Sequence, residues 1–345
     1  MSAFDIDAML SVAGPDVDAT ISAVPVAVPS VFTWDYSSKP GSPLPRLFAK
    51  ATAAQWRSED LPWEIEVDPE RLEIPATRLE IETGTVLDTW DEERWHAFAV
   101  ESRRWMLSQF LHGEQGALLC TAKLVENVPG YDEKIFGASQ VIDEARHVQV
   151  FNRYLHEKLG GPYPINTHLF ALLDDILADS RWDLTYLGMQ IMVEGLALAA
   201  FGYMHALTTE PLLKQLLRQV MADEARHVAF GTLALREVYA DLSAAELADR
   251  AEFAFEASVR MRDRLLQQEV WERFDVPLRE VLPLIAQDPN RVGFQQLLFA
   301  KIVPNCAKLG LLDANGGWLR DRFEDLGVAH FEHIADEHDA DILAA

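Results

Sequence analysis

The pentapeptide Asp-Glu-Ala-Arg-His occurs at Asp143 to His147 and again at Asp223 to His227, 80 residues later. Around the second copy, Leu217, Val220, Met221, Glu224, His227, Val228, Gly231 and Leu235 recur at spacings of three and four, the signature of one helix face. Around the first, Val141, Glu144, His147, Val148 and Phe151 do the same. Each Glu-x-x-His therefore points into an apolar interior. Glu93 and His96 share the spacing but sit in the charged run DEERWH, so that copy reads as surface.

The same shift of 80 maps Glu114 onto Glu194, and each lies 30 residues before the Glu of its pentapeptide. Each also interrupts an apolar stripe: Leu107, Leu111, Ala117 and Leu118 in one helix, Leu187, Ile191, Ala197 and Leu198 in the other. Four carboxylates and two imidazoles thus converge from four helices on one interior, where unpaired charge is costly to bury. Two divalent cations would neutralise the carboxylates, with neutral imidazoles completing the coordination. Oxygen and nitrogen donors without thiolate favour iron or manganese over a structural zinc.

The rest of the chain limits the alternatives. With 345 residues, 49% of them hydrophobic, a single large domain with appendages is expected. A formal net charge of -25 argues against nucleic acid as a partner. No uninterrupted apolar run approaches the ~18 residues of a membrane span, and the acidic start MSAFDIDAML lacks the basic n-region of a secretory signal. A cytoplasmic location is the expectation. The two cysteines, Cys120 and Cys306, form neither a disulfide framework nor an iron-sulfur or zinc cluster.

Prolines scattered through residues 1–88 predict an irregular arm, docked on the core through Phe32, Trp34, Tyr36, Trp56 and Trp63. Thr89 and Glu92 have the spacing of a capping box, and a long helix follows. Further helices are expected over about 132–158, 181–207, 211–240 and 243–274. Residues 89–240 would form the bundle, and residues 241–345 shorter helices covering it. The His-rich tail from Phe331 to His338 reads as a solvated end. The fold class is all-α.

One Glu from each of two helices, with Glu-x-x-His from each of two others, resembles the ferritin-like diiron-carboxylate oxygenases and oxidases. The resemblance spans roughly residues 90–240 and rests on Glu114, Glu144, His147, Glu194, Glu224 and His227. It implies a ferritin-like four-helix bundle with these six as ligands to two iron ions, or to a manganese and an iron. It further implies that Asp143 and Asp223 accept the ring N–H of a liganding His on the opposing helix, fixing its tautomer. Arg146 and Arg226 would pair with these carboxylates, or face solvent.

A reduced metal pair of this kind delivers two electrons to dioxygen at once, the metals carrying the hard chemistry and the protein supplying position and a dry cavity. The resemblance therefore implies a dioxygen-dependent oxidoreductase that hydroxylates or N-oxygenates a small to medium organic substrate. No dinucleotide fingerprint or iron-sulfur motif occurs, so electrons would come from an external reductase or ferredoxin. The small residues Gly195, Ala197, Ala199, Ala200 and Gly202 would leave room beside the metals, or serve close helix packing.

Marks of individual subfamilies are missing. Phe151 stands where small subunits of ribonucleotide reductase place a radical Tyr, and Ala197 and Leu198 where hydrocarbon monooxygenases and acyl desaturases place a Thr. Val220 replaces the additional His of the arylamine N-oxygenases, which are nearest in size. The alternatives are an R2-like oxidase with Fe/Fe or Mn/Fe, an acyl desaturase and, outside enzymology, a storage or scaffold bundle. A homodimer through flat helical faces is compatible with the pattern, but no sequence feature fixes it.

Overall fold

The computed structural model describes residues 5–16, 18–68 and 84–334, and among them all regular structure is helical. Two short helices, α1 (Ile6–Leu10) and α2 (Leu44–Ala53), lie within the N-terminal arm. The arm is thus less irregular than its prolines suggest. Pro43 and Pro45 flank the first residue of α2, where a missing N–H costs no helical hydrogen bond.

Helix α3 (Glu92–Asn127) is capped by Asp91, whose carboxylate accepts from the Arg94 N–H at 2.9 Å, rather than by Thr89. The reason is apolar. Starting at Asp91 leaves Trp90 just outside the helix, where its ring packs 4.7 Å from that of Trp95 as a hydrophobic staple. A short turn leads into α4 (Tyr131–Lys158), which runs back along α3.

Helix α5 (Thr167–Ala178), capped by Asn166 through the N–H groups of His168 and Leu169, is an element the sequence reading did not anticipate. Next comes a continuous rod made of α6 (Trp182–Tyr186), a π-helical segment (Leu187–Val193) and α7 (Glu194–Leu207). This rod is long and apolar enough to cross a bilayer, but 89% of its most apolar window is buried inside the protein, which accounts for its composition. Helix α8 (Pro211–Ala240) begins at Glu210, whose side chain accepts from the Leu212 N–H at 2.7 Å and also from Leu213.

The α3/α4 pair packs against the α6–α7/α8 pair, giving the ferritin-like four-helix bundle. Phe110, Phe151 and Phe201 form its aromatic centre, with Phe110 and Phe201 rings 4.5 Å apart. Each such burial contributes roughly 1.5–3 kcal/mol. Gly231 of α8 allows a close crossing, because a Cβ there would lie 2.5 Å from the Gln190 Cβ of the π segment.

Beyond the bundle, the expected helix over 243–274 is divided. Helix α9 (Ala244–Arg264) opens with a Ser243–Glu246 capping box and is separated from α10 (Gln268–Arg273) by Gln267, which adopts φ 57°. Helices α11 (Leu278–Ile285), α12 (Pro289–Lys308) and α13 (Ala314–Asp325) follow, with α12 lying on α7 and α13 on α9.

The arm docks differently from the expectation. Phe32, Trp34 and Tyr36 are 75%, 76% and 64% exposed, while Trp63 is buried and Trp56 half-buried. Backbone and hydroxyl groups hold the outer segment instead, as where the Val31 N–H donates to the Glu126 carbonyl at 2.9 Å. Glu93 and His96 are exposed, and His338 lies outside the described residues.

Candidate metal centre

Helix periodicity brings Glu114 from α3, Glu144 and His147 from α4, Glu194 from α7, and Glu224 and His227 from α8 to one place. All six are buried. Their donor atoms fall into two overlapping groups, Glu114–Glu144–His147–Glu224 and Glu144–Glu194–His227, each with one donor atom per residue all within 4.8 Å of one another. Glu144 belongs to both groups: its Oε2 lies 3.5 Å from His147 Nδ1, and its Oε1 lies 3.1 Å from His227 Nδ1. Glu224 faces both imidazoles as well, with Oε1 at 3.1 Å from His147 Nδ1 and 3.6 Å from His227 Nδ1. Glu144 and Glu224 thus each face both imidazoles, while Glu114 belongs to the group of His147 and Glu194 to that of His227; these six residues would hold the metal ions.

The π segment ends at the residue before Glu194. A π turn adds a residue to the helical repeat and so rotates whatever follows, a device frequent at functional sites. Here it sets the face on which Glu194 emerges.

Each imidazole is oriented from behind. His147 Nε2 lies 3.1 Å from Oδ2 of Asp223, and His227 Nε2 lies 3.3 Å from Oδ2 of Asp143. Each pair crosses between α4 and α8. An Nε2–H donated to a carboxylate leaves Nδ1 as a lone pair facing the cluster, the tautomer a metal ligand needs. Arg146 pairs with Asp143 and reaches Asp223 at 3.3 Å, while Arg226 pairs with Asp223; both arginines are buried rather than solvated.

Three further residues hold the site together, and sequence reasoning did not single them out for it. Gln140, one turn before Glu144 on α4, donates through Nε2 to Glu144 Oε1 and to Glu194 Oε1, both at 2.9 Å. A polar residue on the apolar stripe one turn before a ligand was the available signal. Gln55, after α2, donates to Asp143 at 2.7 Å and accepts from Arg146 at 2.7 Å. Trp56 donates from Nε1 to Asp223 at 2.8 Å, lies parallel to His147 at 6.5 Å, and carries the Arg146 guanidinium over its ring at 4.7 Å.

The electrostatics of the polypeptide show what the cluster lacks. Burial, reinforced by Glu224, pushes Glu114 well above the ordinary carboxylate range; burial with Glu144 does the same to Glu194. Burial opposes charge on the imidazoles, yet Glu114 and Asp223 hold His147, and Glu144 and Glu224 hold His227, well above the ordinary imidazole value. Burial opposes charge on Glu144 and Asp223 too, but the facing histidines hold both below the usual carboxylate range. Protons thus stand in for cations.

Hydrogen bonding leaves the remainder unmet. Glu144 Oε2, Glu194 Oε2, both carboxylate oxygens of Glu224 and His227 Nδ1 have no hydrogen-bond partner despite complete burial. Orphaned buried acceptors of this kind call for an ion. The donor set, the two overlapping groups and these orphaned atoms fit a pair of hard to borderline divalent metal ions, such as Fe/Fe or Mn/Fe.

No family model and no curated protein matches this chain. Among solved structures it is similar to a mutant R2-like ligand-binding oxidase with an anaerobically reconstituted Mn/Fe cofactor. The likeness covers 79% of this chain and 94% of that one, at 16% identity and a TM-score of 0.47.

Proposed function

We propose that this chain is a dioxygen-dependent oxidoreductase of the diiron oxygenase type, hydroxylating or N-oxygenating a small to medium organic molecule with electrons from a separate reductase or ferredoxin. A bound metal pair would supply reduction and activation of dioxygen. The polypeptide's part is to fix six donors on four helices, set both imidazole tautomers through Asp143 and Asp223, and exclude water.

The observation that carries the reading is the cluster's burial beside a small cavity lined by Phe110, Ala117, Val193, Ala197 and Phe201. An apolar wall next to the donors suits an organic substrate better than a path for hydrated iron in a storage bundle.

Oxygen uptake separates the classes. With the iron-loaded protein and a chemical reductant, a substrate screen is expected to find compounds that accelerate oxygen consumption and gain one oxygen atom. Uptake driven by added ferrous iron alone, indifferent to every organic compound, would overturn the reading in favour of a ferroxidase.

A further inference from the structure

Arg264, the last residue of α9, lines the same cavity as Glu114, Glu194 and Glu224. It is 3% exposed, and its Nε has no hydrogen-bond partner. Among the described residues, neither a hydrogen bond nor an ion pair engages its side chain, unlike Arg146, Arg226 and Arg250, each of which is matched to an aspartate. Burial alone acts on the guanidinium, lowering its pKa to about 10, and no acid offsets that cost.

A cation near a helix C-terminus is favoured by the helix dipole, but that role needs no burial, and the guanidinium bonds none of the terminal carbonyls. A buried, unpaired guanidinium is a costly group to keep. Its planar donors match a carboxylate in bidentate geometry. Apart from Gln109, whose amide is engaged by Pro164 and Asn166, the remaining wall is apolar and aromatic, with Phe110 and Phe201 in edge-to-face contact. The neighbouring acidic cluster disfavours a multiply charged anion such as phosphate. The cavity holds about 20 Å³, about one water's worth, and its lining includes half-buried Gly113, where an added Cβ would meet nothing within 4 Å. An organic ligand therefore enters by displacing side chains, with Gly113 marking the open side.

We propose that Arg264 binds the carboxylate of an organic acid whose apolar body lies against Phe110 and Phe201 beside the metal ligands. This assignment rests on the oxygenase reading for the meaning of the site, and names the substrate class within it.

The test uses the iron-loaded full chain and isothermal titration with benzoate and hexanoate, against benzamide, hexanamide and inorganic phosphate. Wild-type protein is expected to bind at least one carboxylate ten-fold or more tightly than its amide and than phosphate. Arg264→Gln should abolish that preference with iron content unchanged, and Arg264→Lys should retain part of it. Because the side chain has no partner, Arg264→Gln should leave Tm unchanged or raise it. Absence of carboxylate binding, equal binding of phosphate, a preference that survives Arg264→Gln, or a variant that fails to fold would each overturn the proposal. Carboxylate preference without substrate-driven oxygen uptake would instead leave Arg264 in place and defeat the oxygenase reading.

Discussion

The indole of Trp56 donates to Oδ2 of Asp223 at 2.8 Å, and the same oxygen faces Nε2 of His147 at 3.1 Å. A residue of the N-terminal arm thereby orients an imidazole from behind the metal centre. Trp56→Phe keeps an aromatic ring on the site and removes the N–H donor. Metal affinity, measured by chelator competition, is expected to fall roughly 10- to 100-fold, the usual cost of losing an outer partner of a ligand. Unchanged affinity would reduce the arm to a cover.

Gln140 spans Glu144 and Glu194 with one amide, two ligands from different halves of the repeat. Gln140→Leu removes both hydrogen bonds at similar volume, so neither carboxylate is held in place from behind. We expect metal affinity to fall roughly 10- to 100-fold, the usual cost of losing an outer partner of a ligand, with the helical circular dichroism retained. A variant indistinguishable from wild type in a metal titration would show that the amide is mere filler.

The bundle was legible because its signals are local. A 3.6-residue stripe fixes which face carries Glu144, His147, Glu224 and His227, and the 80-residue shift finds Glu114 and Glu194 without any tertiary information. Trp56 and Asp223 are 167 residues apart, and no periodicity links an arm to a helix across that distance. For the same reason the exposure of Phe32, Trp34 and Tyr36 was unreadable, since composition names sticky residues but not which of them find a surface. The π segment, apolar but for Gln190, carries no sequence mark of its extra residue, although it sets where Glu194 emerges. The left-handed residue Gln267, which separates α9 from α10, lacks the glycine that would have announced it.

Metal binding should depend steeply on pH. In the metal-free chain His147, His227, Glu114 and Glu194 all hold protons above their ordinary pKa values. Their contribution to stability is therefore complete at low pH and is lost as pH rises through the folded values. Divalent ions must displace these protons, so affinity should rise with pH across the neutral range, with more than one proton released per metal pair. Calorimetry in buffers of different ionisation enthalpy reads that number directly. Binding without proton release, equally tight on both sides of about pH 6.5, would contradict this description of the cluster.

His168 offers a second, independent pH effect. Burial, with Arg260 and Arg262 nearby, lowers its pKa to about 4. Its folded value lies below the unfolded one of roughly 6.5, so the unfolded chain takes the proton first and stability falls as pH drops through that interval. His168→Leu should remove up to about 3 kcal/mol of this acid sensitivity. Urea unfolding at neutral and mildly acidic pH checks it, and equal slopes in wild type and variant would refute it.

The central claim, that six side chains from four helices form one dimetal site, is tested most directly by metal content. Wild-type protein reconstituted with ferrous iron, alone or with manganese, should carry two ions per chain by mass spectrometry. Glu144→Ala and Glu224→Ala, which each remove a carboxylate facing both imidazoles, should lose both ions, while Glu93→Ala retains them. Two tightly held ions in both of these glutamate variants, or none in the wild type, would contradict the account.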